Sequence, residues 1–162
     1  MMNTQMQAWR APLLRFDADG RPAYDSDGLL VTGPGADGVR RVVDAGAHGA
    51  VAARHPGVPV ERLPGRLIAP GFIDMPAHSP QTDTTASPAE GLLPWLENYT
   101  FPAEARFADP AHAAGVARFF FDELARNGVT TALAFATSHP ASADAFFTEA
   151  ERRGLRMIGG KV

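Results

Sequence analysis

The 162-residue chain contains no cysteine. Disulfides, thiolate metal sites and cysteine nucleophiles are therefore excluded. Long apolar runs are also missing. No stretch reaches the length that spans a bilayer, and no basic-then-apolar leader is expected at the start. Charge of one sign is not in excess either. Fifteen Lys and Arg stand against 18 Asp and Glu, a net charge of -3, and they are scattered rather than blocked. That balance leaves no electrostatic footprint for nucleic acid or an anionic membrane. The expectation is a soluble, cytoplasmic protein with neither as partner. What remains is an apolar share of 45%, enough for a packed core in one ordinary domain or part of a larger one.

The residue grammar changes near Pro64-Gly65, which predicts two parts, 1–65 and 66–162. In the first, "APLLRF", "DGLLVTG" and "GVRRVVDAG" read as strands, bounded by the turn signals Asp19-Gly20, Asp27-Gly28 and Asp37-Gly38. Ala45 to Pro59 fits a helix or a loop equally well. This half reads as a small antiparallel β unit. In the second part, "RLIAPGFID" is an apolar strand, and Met75 to Ala108 follows without clear periodicity. Asp109 before Pro110 predicts a helix start, and Gly128 its end. Val116, Phe119, Phe120 and Leu124 predict its buried stripe. "VTTALAFA" is a second strand, Ala141 to Arg153 a helix ended by Gly154, and "LRMIGGKV" a third strand. Strand, helix, strand, helix, strand is the order of successive βαβ units on a parallel sheet.

In such α/β folds chemistry collects at the C-terminal ends of the strands. His78 and Gln81 lie just beyond "LIAPGFID". The long segment after them has the length of a functional or disordered loop. Two histidines spaced His-x-His at a strand end project to one side, which suits a metal. Here the second position is His78 and the first is Pro76. A lone histidine at a strand end reads more readily as a polar surface residue than as a ligand. His139, in "ATSHP", reads as a loop or helix-entry residue, and His48, His55 and His112 as surface positions. Lys161 lies in the last strand, either as a reactive or carboxylated metal bridge or, more simply, as a solvent-facing lysine. Trp95, Tyr99 and Phe101 could stack on a planar ligand or merely pack. No phosphate loop and no Gly-x-Ser-x-Gly elbow occurs. The paired-cysteine signature of cytidine deaminases is excluded by composition.

Three segments, "LIAPGFIDMPAHSPQTD", "GLLPWLENYTFPAEARFADPAHA" and "FFFDELARNGVTTALAFATSHP", together resemble the zinc-dependent guanine deaminases of the amidohydrolase superfamily. The "LLPWLENYTFPAEARFAD" run is the most specific of them. The likeness is strong from Leu67 onward and loose before it. It implies an α/β fold: a (β/α)₈ barrel, present here as its first three strand-helix units, preceded by a small antiparallel β-sandwich portion. It implies hydrolysis of guanine to xanthine and ammonia, with zinc as cofactor, guanine or a related aminopurine as ligand, and a homodimer. Transferred by position, His78 matches the second zinc histidine and Gln81 the glutamine that hydrogen-bonds the purine. Both would face the substrate.

Two departures qualify the transfer. The family's first zinc histidine falls on Pro76, which has no lone pair to give a metal. A barrel of this kind takes roughly 250 residues, so the family's remaining zinc histidines, its glutamate and its aspartate would belong to later strands. No catalytic residue is therefore expected within this chain, and zinc binding is expected to be weak or absent. Two other readings fit the same residues. One is a non-catalytic module that docks on a full-length relative. The other is a purine-binding pseudoenzyme that uses Gln81 and the aromatic segment.

Overall fold

A computed structural model describes residues 5–160, so Lys161 lies outside the described residues. The chain divides into two compact units between Pro70 and Gly71, a little beyond the expected boundary at 65/66. The shift has a local cause. Ile68 bridges to Leu13, donates its N–H to Pro12 O and accepts from Leu14 N–H, each at 2.9 Å. Those bonds tie the start of the expected "RLIAPGFID" strand to the first unit.

The first unit is one sheet of order β3-β2-β1-β4. Its strands are β1 (Gln7–Phe16), β2 (Pro22–Pro34), β3 (Arg40–Ala47) and β4 (Val60–Arg62). The first three pair antiparallel, as expected of short strands bounded by turn signals, but β4 joins β1 in parallel. Asp27-Gly28 is not a turn. Strand β2 runs straight through it, with one extra residue opposite Pro12, where Ala11 pairs with Gly28 and Leu13 with Asp25. Glycine is needed there for close approach: a Cβ on Gly28 would sit 2.3 Å from that of Leu13. The undecided stretch before Pro59 contains a helix, α1 (His48–Arg54). It buries Val51 against Ala8, Leu29 and Val31. His55 is not the surface residue expected. Its Nε2 lies 2.9 Å from Asp44 Oδ2, beside Arg54 at 2.8 Å, and its side chain is only 17% exposed. Hydrogen bonding by Arg54, then by His55, holds the Asp44 carboxyl down to about 2.

The second unit begins with β5 (Phe72–His78), which starts after Gly71 and extends four residues past the expected end at Asp74. It pairs in parallel with β6 (Val129–Phe135), and β6 with β7 (Arg156–Gly160), in the order β5-β6-β7. Two residues of β5 stand opposite one of β6, Leu133, between the pairs Asp74↔Ala132 and Ala77↔Ala134. The bulge falls at Met75 and Pro76, where proline has no N–H for the ladder; the peptide between them is cis. The segment expected to lack structure is largely coiled. It contains a 3-10 turn (Ser79–Thr84) and then α2 (Leu92–Trp95), a π turn (Leu96–Thr100), α3 (Phe101–Ala105) and a second 3-10 turn (Arg106–Ala108). Pro94 and Pro102 interrupt the hydrogen-bond pattern, and changes of helical pitch erase a single apolar period.

Helix α4 (Pro110–Arg126) starts as predicted, with the Asp109 carboxylate accepting from Ala111 N–H at 2.9 Å. Helix α5 (Pro140–Arg153) has His139 at its N-cap and ends on left-handed Gly154, φ 65°. Phe120, Phe121, Leu124, Phe146 and Ala150 pack on Ala132 and Ala134 of β6. Phe119, expected in this stripe, is 54% exposed, and Phe121 is fully buried instead. A helix facing one sheet cannot bury three consecutive phenylalanines. The buried set Ala113, Val116, Ala117, Phe120, Phe121, Leu124 has the i, i+3, i+4, i+7 spacing of a single face, and Phe119 lies off it.

Glu149, on α5, accepts from Arg152 Nη2 at 2.5 Å and Arg153 Nε at 2.6 Å. Arg152, then Arg153, lower its carboxyl from 4.5 to about 2. A carboxyl depressed in the folded state stabilises fully above its unfolded value and loses that contribution as pH falls through the folded one. Glu149→Gln should therefore lower the melting temperature at pH 7, with the gap to the parent closing between about pH 4.5 and 2. Thermal melts across that range check it. A gap independent of pH would assign the loss to packing.

Candidate functional site

Strands β5 and β6 end in register, His78 opposite Phe135, and Phe135 lies opposite Gly160 of β7. Ala77 packs with the helix-side core. Alternation therefore puts Pro76 and His78 together on the other face, and both are exposed. The His78 ring lies 4.9 Å from that of Phe135. The chain then coils through the turn Ser79–Thr84, which carries Gln81 back beside the strand end. Gln81 Nε2 is 3.3 Å from His78 Nδ1 and donates to Glu104 Oε1 at 3.4 Å. An open hollow of about 420 Å³ lies here, lined by His78, Gln81, Thr82, Thr84, Thr85, Ala86, Trp95 and Phe120.

The structure thus brings together His78, Gln81 and one of the three aromatic candidates, Trp95. Tyr99 and Phe101 do not line the hollow, and Phe101 is 56% exposed. His139 serves as the residue before α5, its N–H donating to Thr137 Oγ1 at 3.1 Å. His112 is not a surface residue as expected. Its side chain is 15% exposed, and its ring meets Phe107 edge-on, at 5.0 Å. Arg106 links the neighbourhood: Nη1 donates to Asp83 Oδ2 at 3.0 Å and Nη2 lies 3.4 Å from His112 Nδ1. Glu104, Asp83 and Arg106 carry no spacing signal in the sequence. Twenty-three residues separate Gln81 from Glu104 and Asp83 from Arg106, and only the coiling between α2 and α4 closes that gap.

Metal ligation does not emerge from these side chains. Among the described residues no group of three or more His, Cys, Asp or Glu is placed to hold an ion. His78 has Gln81 and Phe135 as neighbours, and Pro76, on its face, has no side-chain donor atom. A zinc site, which needs about three protein ligands, does not fit what is present. The same surroundings suit a planar polar molecule. An amide that both donates and accepts, an imidazole and an indole converge on one open space.

The model of the amidohydrolase family matches residues 67–162, and the chain belongs to that family. Within it, the chain is homologous to guanine deaminases. It is 48% identical over 98 residues to the guanine deaminase of Escherichia coli (strain K12), an alignment covering 60% of this chain and 22% of that protein. The crystal structure of the guanine deaminase from Bradyrhizobium japonicum superposes with a TM-score of 0.88 at 32% identity, over 96% of this chain and 35% of that one. A guanine deaminase from C. acetobutylicum, with guanine bound in its active site, superposes with a TM-score of 0.82 at 25% identity, over 96% and 36%. The chain therefore spans about a third of the length of the solved proteins it matches. Two more distant structures, at 19% and 17% identity, share the fold and hold zinc. Among the described residues no helix is long and apolar enough to cross a membrane.

Proposed function

We propose that the chain is the N-terminal part of a guanine deaminase-like hydrolase and that its hollow recognises guanine or a related aminopurine. In this reading β5, β6 and β7 are the first three strands of a (β/α)₈ barrel, and the sheet of the first unit is a portion of the accompanying β-sandwich. The observation that carries it is the convergence of His78, Gln81 and Trp95 at the C-terminal end of β5. With its Nε2 held by Glu104 and His78, Gln81 can accept from a guanine N–H through its amide oxygen, and Trp95 offers a flat apolar surface to the ring. No catalytic step is assigned to these residues. The proton-transferring groups of the implied reaction and a fitting metal site are not supplied by them, so this chain by itself is assigned binding without turnover.

The test incubates the chain with guanine and measures xanthine. Neither the parent nor Pro76→His should form it above a protein-free control, because restoring one side chain leaves the other ligands missing. Guanine binding should weaken about 3- to 10-fold in Gln81→Ala, the scale of one lost hydrogen bond. Xanthine formation by either form would overturn the assignment of binding without turnover. Guanine affinity unaffected by Gln81→Ala would remove the role given to that amide.

A further inference from the structure

Between Gln81 and Trp95 the chain is fastened by a series of hydroxyls. Thr84 Oγ1 donates to Gln81 O at 2.9 Å, Thr85 Oγ1 to Thr82 O at 2.9 Å, and Ser87 Oγ to Thr84 O at 2.6 Å. Each spans three residues, so the hydroxyls lock the coil that presents Gln81. Ser87 does a second thing. Its Oγ also accepts the indole N–H of Trp95, at 2.9 Å. One hydroxyl therefore joins the turn holding Gln81 to the aromatic side chain on the same hollow. The residue before it, Ala86, is held at φ 62°. That left-handed conformation costs a residue with a Cβ roughly 1–2 kcal/mol, and such strain persists where surrounding contacts determine the backbone. Ala86 itself lines the hollow.

We infer that Ser87 is a positioning residue for ligand recognition: it fixes the Trp95 indole as a stacking wall for a planar, hydrogen-bonding heterocycle whose edge Gln81 reads. This rests on the purine reading of the hollow and assigns its face-on half. Stacking of a base on an aromatic ring is sequence-tolerant and strong, because every base has a π face. It requires the ring to be held in one plane. The indole N–H bond to Ser87 removes rotation about the side chain, and the strained Ala86 backbone sets the place of that bond.

The experiment follows the Trp95 indole N–H by proton NMR in the whole chain, the signal being identified by its loss in Trp95→Phe. Guanine is the titrant. In the parent, guanine should shift this signal. In Ser87→Ala the indole N–H should exchange faster with solvent, and guanine affinity should fall about 3- to 10-fold. Ser87→Thr, which keeps a hydroxyl, should recover both. Trp95→Ala should lose about 10-fold or more. Ser87→Ala with unaltered guanine affinity would overturn the proposal, as would a loss of affinity that Ser87→Thr does not recover. Gln81→Ala separates the two readings. If it keeps full affinity while Ser87→Ala loses it, the amide role fails and the Ser87 role stands. If guanine moves no signal in the parent, both fall.

Discussion

With residues 67–162 replacing the matching stretch of the Escherichia coli guanine deaminase, the chimera carrying Pro76 should turn over guanine at least about 100-fold more slowly than the chimera carrying Pro76→His. Outer partners of metal ligands already cost about 10- to 100-fold when removed, and the resemblance places a ligand itself at this position. The proline side chain offers no lone pair in place of an imidazole, so the His-x-His pair that the resemblance implies would be reduced to His78. The structure gives no reason for the fold to suffer. Position 76 sits in a bulge of β5, where the ladder does without its N–H, and Ala77 and His78 pair with β6 on the far side. Guanine turnover, zinc content and thermal melting, measured on both chimeras, check this together. Loss of turnover and of zinc with matched melting is the expected result. Equal turnover and equal zinc would show that position 76 is not a ligand position, and would withdraw the zinc role transferred to His78.

Phe121→Ala should unfold the second unit at room temperature or leave it close to doing so. Phe121 is fully buried. Its ring lies 5.2 Å from that of Phe146 and 5.9 Å from that of Phe120, and Arg153 Cζ stands 5.9 Å from its centre. Truncating a buried phenylalanine costs about 3–5 kcal/mol, a large part of what a small domain has. Phe119→Ala, two residues away and mostly exposed, should change stability by no more than about 0.5 kcal/mol. Urea unfolding of the two variants against the parent decides between the face that packs and the face the apolar pattern alone suggests. A Phe119→Ala loss matching that of Phe121→Ala would place the helix differently on the sheet.

Residues that act on their immediate neighbours are legible in the amino-acid sequence alone. Asp109 and Pro110 start α4 because a carboxylate and a ring without N–H suit unpaired amides, and Gly154 ends α5 because it enters the left-handed region without penalty. The strand-helix-strand order of the second unit follows from such signals. The family likeness is legible as well, in three segments of which the run from Leu92 to Asp109 is the most specific. Three matters depend on the tertiary structure. Asp27-Gly28 has the composition of a turn, but the close approach of Leu13 from another strand is what requires glycine there. Phe119 and Phe121 are indistinguishable by helical spacing until the sheet selects a face of α4. The hollow itself has no signature in the sequence. Glu104 reaches Gln81, and Trp95 reaches the same hollow, through changes of helical pitch and a left-handed alanine. Such geometry leaves no periodic trace, because hydrogen bonds between distant residues are set by the path of the whole segment rather than by neighbouring side chains.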